Sequence, residues 1–157
     1  MNPLVHQIIY EEETLNTRLK LLHKIEDPLL LWELMSHYNW DDGFVIPLEV
    51  VKHNQCDLGL AMMLFWEFEE AKMYYEDPAS IVSNYDNTEE STYKSQYCKT
   101  LINGIRKGLY LSGVNKYDTG FLGEKMPIED ERKQKMRALK TKRALETYES
   151  VFLSPVF

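Results

Sequence analysis

Cysteine is almost missing from this chain. Cys56 and Cys98 are the only two in 157 residues. Two thiols far apart exclude a disulfide framework and read as reduced groups of a cytoplasmic protein. The N-terminus, Met1-Asn2-Pro3-Leu4, runs into Glu11-Glu12-Glu13 and has neither a leader nor a transit pattern. Glycine and proline are also scarce, at 7 and 6 residues, too few for a turn-rich β-sandwich. The longest apolar run, Leu58 to Trp66, is far shorter than a membrane span, so no membrane partner is expected. No phosphate loop, dinucleotide fingerprint, nucleophile elbow or His-Glu-x-x-His occurs, and no catalytic residue or cofactor is expected.

What is present suits one folded domain, 1–157. Hydrophobic residues make up 44% and aromatic residues 12%. A chain of this length buries roughly 68–70% of its unfolded surface, enough for a core without staples. The seven methionines fill gaps in such a core more simply than they form a cofactor box. The net charge of −7 is unevenly spread. Asp41 to Glu90 holds 12 acidic and 2 basic residues, whereas Arg132 to Arg143 holds 7 basic and no acidic ones. An acidic surface repels nucleic acid and attracts basic partners; it also simply keeps a small protein dispersed.

Cap-and-period signals predict an all-α bundle of five to six helices. Asn2 with Pro3 opens the first, and Leu4, Ile8, Leu15, Leu19 and Leu22 give it one apolar face. Asp27-Pro28 opens a second, from Leu29 to about His37, and Pro47 a third, to about Lys52. Asp57 caps a fourth, from Leu58 to about Glu76. Its first half is apolar all round, which predicts a central position. Ser80 to Thr88 reads as a loop. A fifth helix is expected from about Thr88 to Leu111, with Gly113 as its C-terminal cap. Gly120, Gly123 and Pro127 mark another loop. A charged last helix is expected from about Ile128 to Glu149, with Met136, Leu139, Leu145 and Tyr148 as its thin apolar seam. The tail, Val151 to Phe157, is too apolar to stay in water and should meet the core or a partner.

One loop stands out. Tyr38-Asn39-Trp40-Asp41-Asp42-Gly43-Phe44 leads into Ile46-Pro47, and Cys56-Asp57-Leu58-Gly59 precedes the apolar helix. Residues 29 to about 75, carrying both motifs, resemble an uncharacterised bacterial family of small helical domains. The resemblance implies a helical, intracellular protein and, through relatives near toxin genes, an immunity role. It assigns no activity to any residue. Residues after Phe65, with a long acidic helix and a C-terminal third from about 114, depart from its shorter members.

Asp41, Asp42 and Gly43 admit three readings: turn chemistry, a contact surface, or a metal site. Turn chemistry needs no ligand, whereas a hard cation wants six or more oxygens and this spacing is no calcium loop. Asp57 reads as a cap, and Gly59 as a site of close packing. His53 and Cys56, with His37 and Cys98, have the wrong spacing for a zinc knuckle, so no metal is expected. Cys56 reads as a small buried hydrophobe rather than a nucleophile. The basic run lacks the interleaved aromatics of a nucleic-acid surface and reads as a solvated helix paired with the acidic middle. Trp40, Asp41, Asp42, Gly43, Asp57 and Gly59 are therefore expected to be scaffold.

The expected function is a cytoplasmic immunity or antitoxin-like protein, as in toxin–antitoxin or contact-dependent inhibition systems. It would occlude a basic toxin, such as a nuclease, without turnover. Its partner face is expected at Glu67, Glu69, Glu70, Tyr74, Tyr75 and Glu76. Trp66, Tyr85 and Trp40 are further candidate aromatic anchors. The alternatives are an adaptor for another bacterial protein and, last, a metal-dependent enzyme built on Asp41, Asp42 and Asp57.

Overall fold

The structure is a computed structural model that describes residues 1–81, 89–121 and 131–157. The readings placed on Tyr85, on most of the Ser80–Thr88 loop, and on Gly123, Pro127 and Ile128 lie outside them. The architecture is all-α. Its helices are α1 (Pro3–His6), α2 (Leu15–His23), α3 (Pro28–His37), α4 (Val45–Lys52), α5 (Leu58–Glu67), α6 (Glu69–Glu76), α7 (Glu89–Arg106) and α8 (Glu131–Thr147). This is more than the five or six expected, because two predicted helices are broken. None of the described helices is long and apolar enough to cross a membrane.

The first break falls between α1 and α2. Asn2 caps α1 by accepting from the Leu4 N–H at 2.8 Å, and a π-helical turn, Gln7–Glu11, follows. Glu12 is extended, and Thr14 caps a new helix by accepting from the Thr17 N–H. Arg18 Nε donates to the Ile8 carbonyl at 2.8 Å, which supplies a partner at the interruption. The second break is at Phe68, whose extended backbone (φ −119°, ψ 142°) separates α5 from α6. Its ring lies 4.6 Å from that of Trp40, so packing on a distant loop overrides the local helical pattern there.

α5 is the centre of the bundle. Gly59 through Phe65 are all buried, and the helix packs on α3, α6 and α7. α7 in turn lies on α4 and α6. α7 ends five residues earlier than its periodicity predicts. Gly108, at φ +67°, closes it: the Gly108 N–H donates to Ile105 O and the Leu109 N–H to Gly104 O. That pair of bonds is a Schellman cap. Gly113 has a different task, described below.

The apolar tail folds back. Phe152 and Leu153 are fully buried and Val156 nearly so. Val156 exchanges both backbone hydrogen bonds with Tyr117, at 2.7 and 2.8 Å, in an isolated antiparallel bridge. Burying a Phe or Leu side chain is worth roughly 1.5–3 kcal/mol, which accounts for the docking.

Candidate functional site

Three acidic segments meet around one aromatic cluster. Asn39 Oδ1 accepts from the Asp41 N–H and starts a 3-10 turn, Trp40–Asp42. Gly43 follows at φ +93°, and its carbonyl accepts from Tyr38 Oη at 2.7 Å. The next N–H, of Phe44, donates to Glu90 Oε1 at 2.9 Å, although Glu90 is 46 residues away. A side chain at Gly43 would be strained at this φ, and its β-carbon, 2.8 Å from that carboxylate, would push the Glu90 side chain aside. Below the loop, Trp40 packs on Phe44, Phe68 and Tyr97 with ring centres 4.6–5.9 Å apart. Phe68 brings Glu70, whose charge reaches Tyr97, to the cluster, while the start of α7 brings Glu89 and Glu90.

The result is a corner with exposed carboxylates at Asp41, Asp42, Glu89 and Glu90, and a half-exposed one at Glu70. Two cations temper it. Arg18 Nη2 lies 3.6 Å from Asp42 Oδ2, and Lys94 Nζ lies 5.5 Å over the Phe44 ring. Tyr97 is fully buried, and burial, then nearby charge including that of Glu70, pushes its hydroxyl well above its ordinary pKa. Its oxygen and Trp40 Nε1 are buried without a hydrogen-bond partner among the described residues. The floor is thus held by ring packing rather than by hydrogen bonds.

Asp57 does more than cap α5. It accepts from the Leu60 N–H at 3.1 Å, and also from the Asn115 N–H at 3.0 Å and Asn115 Nδ2 at 3.1 Å. Asn115 Nδ2 donates as well to the Pro28 carbonyl. Both side chains are nearly sealed from solvent. Gly59 and Gly113 permit the approach. A β-carbon on Gly59 would sit 2.1 Å from the Asn115 carbonyl oxygen, and one on Gly113 would sit 2.6 Å from Asp57 Oδ2. Leu58 N–H donates to Leu111 O, and Tyr110 Oη to Val51 O, both at 2.8 Å. These bonds pin residues 110–115 and leave Leu109, Leu111 and Val114 pointing outward, each more than half exposed. Beside them opens a groove of ≈650 Å³ that His53, Cys56, Asp57 and Tyr110 help to line.

The expected partner face on α5 and α6 is divided. Glu67 accepts from Tyr117 Oη, and Glu76 from Tyr148 Oη. Tyr75 Oη lies on Glu149, whose carboxylate also holds Arg106 at 2.8 Å. That bond keeps Glu149 below the ordinary glutamate pKa. Tyr75 and Trp66 sit in a stack with Phe65, Tyr148 and Phe152, and Trp66 Nε1 donates to the Phe152 carbonyl. Tyr74 is half-buried against the core. The C-terminal segment therefore contacts Glu67, Tyr75 and Glu76, while Glu70 turns to the acidic corner and Glu69 borders a depression with Met73, Glu76 and Tyr148.

His53 and Cys56 do not form a reactive pair. His53 Nδ1 accepts from the Gln55 N–H and Nε2 faces the Leu22 carbonyl, while burial lowers its pKa. Burial, and then Asp57, raises the Cys56 thiol; burial pushes Cys98 up to about 12. Both stay as thiols near neutrality. Among the described residues no three His, Cys, Asp or Glu side chains gather as a metal site.

A family profile described as a domain of unknown function, DUF4274, matches residues 26–107. The chain belongs to this family. No curated protein and no solved structure matches it significantly. The DUF4274 region takes in α3 to α7, and so reaches further than the resemblance read over 29–75. The acidic corner lies within it, whereas Asn115, Tyr117, Tyr148 and Phe152 lie beyond. Sequence reasoning missed Glu90, Asn115 and Glu149. Their partners are 43 to 87 residues distant, and no local pattern signals them.

Proposed function

We propose that this chain is an immunity- or antitoxin-like binding protein that neutralises a cognate basic toxin by covering it, without turnover. The observation that carries this reading is the meeting of Asp41, Asp42, Glu70, Glu89 and Glu90 around one packed aromatic floor. Carboxylates so placed attract a cationic surface, and a preorganised floor lowers the ordering cost of binding. A nuclease must hold phosphates with cations, so it fits such a face. Steering of this kind accelerates association and weakens with salt, since the Debye length is about 8 Å near 0.15 M.

The test is co-expression with the toxic product of the neighbouring gene. The native chain should restore growth. Asp41→Lys with Glu89→Lys should abolish protection and slow association about tenfold at low salt. Neither residue has a buried role, so circular dichroism should be unchanged. Protection that survives this reversal at wild-type strength would sink the reading. A second reading, an adaptor for an apolar peptide, is favoured by the outward Leu109, Leu111 and Val114 beside the groove. Leu109→Ser with Leu111→Ser should abolish binding in that case and leave toxin protection intact in the first.

A further inference from the structure

α8 has no buried residue. Its half-buried side chains, Gln134, Arg137, Thr141 and Ala144, recur at helical spacing and mark the face turned to the body. Thr141 Oγ1 donates to the Phe121 carbonyl on that side. The opposite face carries Arg132, Met136, Leu139 and Arg143, at steps of four, three and four. Met136 is 63% exposed and Leu139 49%. An apolar pair beside two arginines thus stays largely exposed, and with Arg143 it borders an open depression of ≈530 Å³ against Asp118 and Gly120.

α6 carries the complement. Glu69, Met73 and Glu76 fall at i, i+4 and i+7, so they share one face. Met73 is 52% exposed, and these residues border a shallow depression of ≈310 Å³ with Lys72 and Tyr148. Each helix therefore shows apolar side chains flanked by charge, and the charges are opposite. Among the described residues Asp118 and Gly120 border the depression from the body side, and the exposed Met136 and Leu139 side chains stay open to another molecule.

We propose that a second copy of this chain covers α8. The Met136–Leu139 ridge docks on Met73 of the other copy, with Arg132 and Arg143 against Glu69 and Glu76. Charge decides between occupants. Outside residues 132–143 the chain carries −14, a field that repels phosphates of nucleic acid or lipid and attracts the basic helix of another copy. Each copy supplies one α8 and one α6, so two reciprocal contacts close a two-fold dimer. The dimer does not depend on the toxin-binding function proposed above, because Glu69 and Glu76 lie outside the acidic corner and its test uses the chain alone.

Sedimentation equilibrium of the full chain at several concentrations, at low and high salt, tests this. A monomer–dimer equilibrium that weakens with salt is expected. Arg132→Glu with Arg143→Glu should raise Kd at least tenfold, and so should Glu69→Lys with Glu76→Lys. Combining all four should restore the dimer, a rescue that loss of folding cannot mimic. A monomer at every concentration overturns the proposal, as does a dimer indifferent to both pairs. So does a chain that stays monomeric yet binds a single-stranded oligonucleotide or phosphatidylserine vesicles through Arg132 and Arg143.

Discussion

The two ends of α5 are tied to the C-terminal segment by different physics. At the N-terminal end, Asp57 is clamped to Asn115 by directional hydrogen bonds in a nearly dry site. At the C-terminal end, Phe65 and Trp66 meet Phe152, Tyr148 and Tyr75 ring to ring, with centres 4.9–6.0 Å apart. The polar clamp demands position, since a buried carboxylate without partners is costly. The aromatic clamp demands volume and accepts several ring angles. The DUF4274 region thus meets its extension through a polar contact that sets register at one end of α5 and a ring-packed contact at the other.

The largest expected effect is on the aromatic side. Phe152→Ala should destabilise by about 4 kcal/mol, because it opens a cavity in a sealed site. Urea denaturation should show it, with raised hydrogen exchange over residues 148–157. A cost below about 1 kcal/mol would mean that the tail is only loosely docked. On the polar side, Asp57→Ala should cost about 3 kcal/mol, more than the 0.5–2 kcal/mol of a lost cap alone, since it also orphans Asn115. Exchange should rise at 110–117 and stay protected at 148–157. If both regions open together, the two clamps are one cooperative unit and the contrast fails.

Trp66→Phe keeps a ring in the stack but loses the bond to the Phe152 carbonyl and part of the indole, so about 1–2 kcal/mol should be lost. A larger loss would give the aromatic clamp a polar character of its own. The smallest effect concerns pH. Arg106 holds Glu149 below the ordinary glutamate value. The bridge therefore contributes fully above that ordinary value and is lost as pH falls through the lowered one. Glu149 is largely exposed, so the change should be small. Arg106→Gln should flatten this part of the acid-unfolding curve, and identical curves for variant and wild type would show that the bridge contributes nothing.

Much of the helical order was legible. Asn2, Asp27 and Asp57 each accept from a backbone N–H at a helix start, and the all-apolar run from Gly59 to Phe65 lies in the core. The acidic middle was legible as composition, yet its meeting place was not. Glu67 and Glu76 go to tyrosines of the C-terminal segment, whereas Glu90 comes to the Gly43 loop from α7. Gly113 looked like a helix cap, but Gly108 closes α7, and Gly113 instead makes room for Asp57.

By itself the sequence determined helical class, most helix starts and the identity of the central helix. Caps and periodic apolar faces act between residues at most a few positions apart, so the linear order contains them. Only the tertiary structure decided the break at Phe68, the Asp57–Asn115 clamp, the return of the tail to Phe65, and the place where the carboxylates gather. Those contacts join residues separated by tens of positions. Which of them form depends on how whole helices share one core volume, and no local pattern encodes that choice.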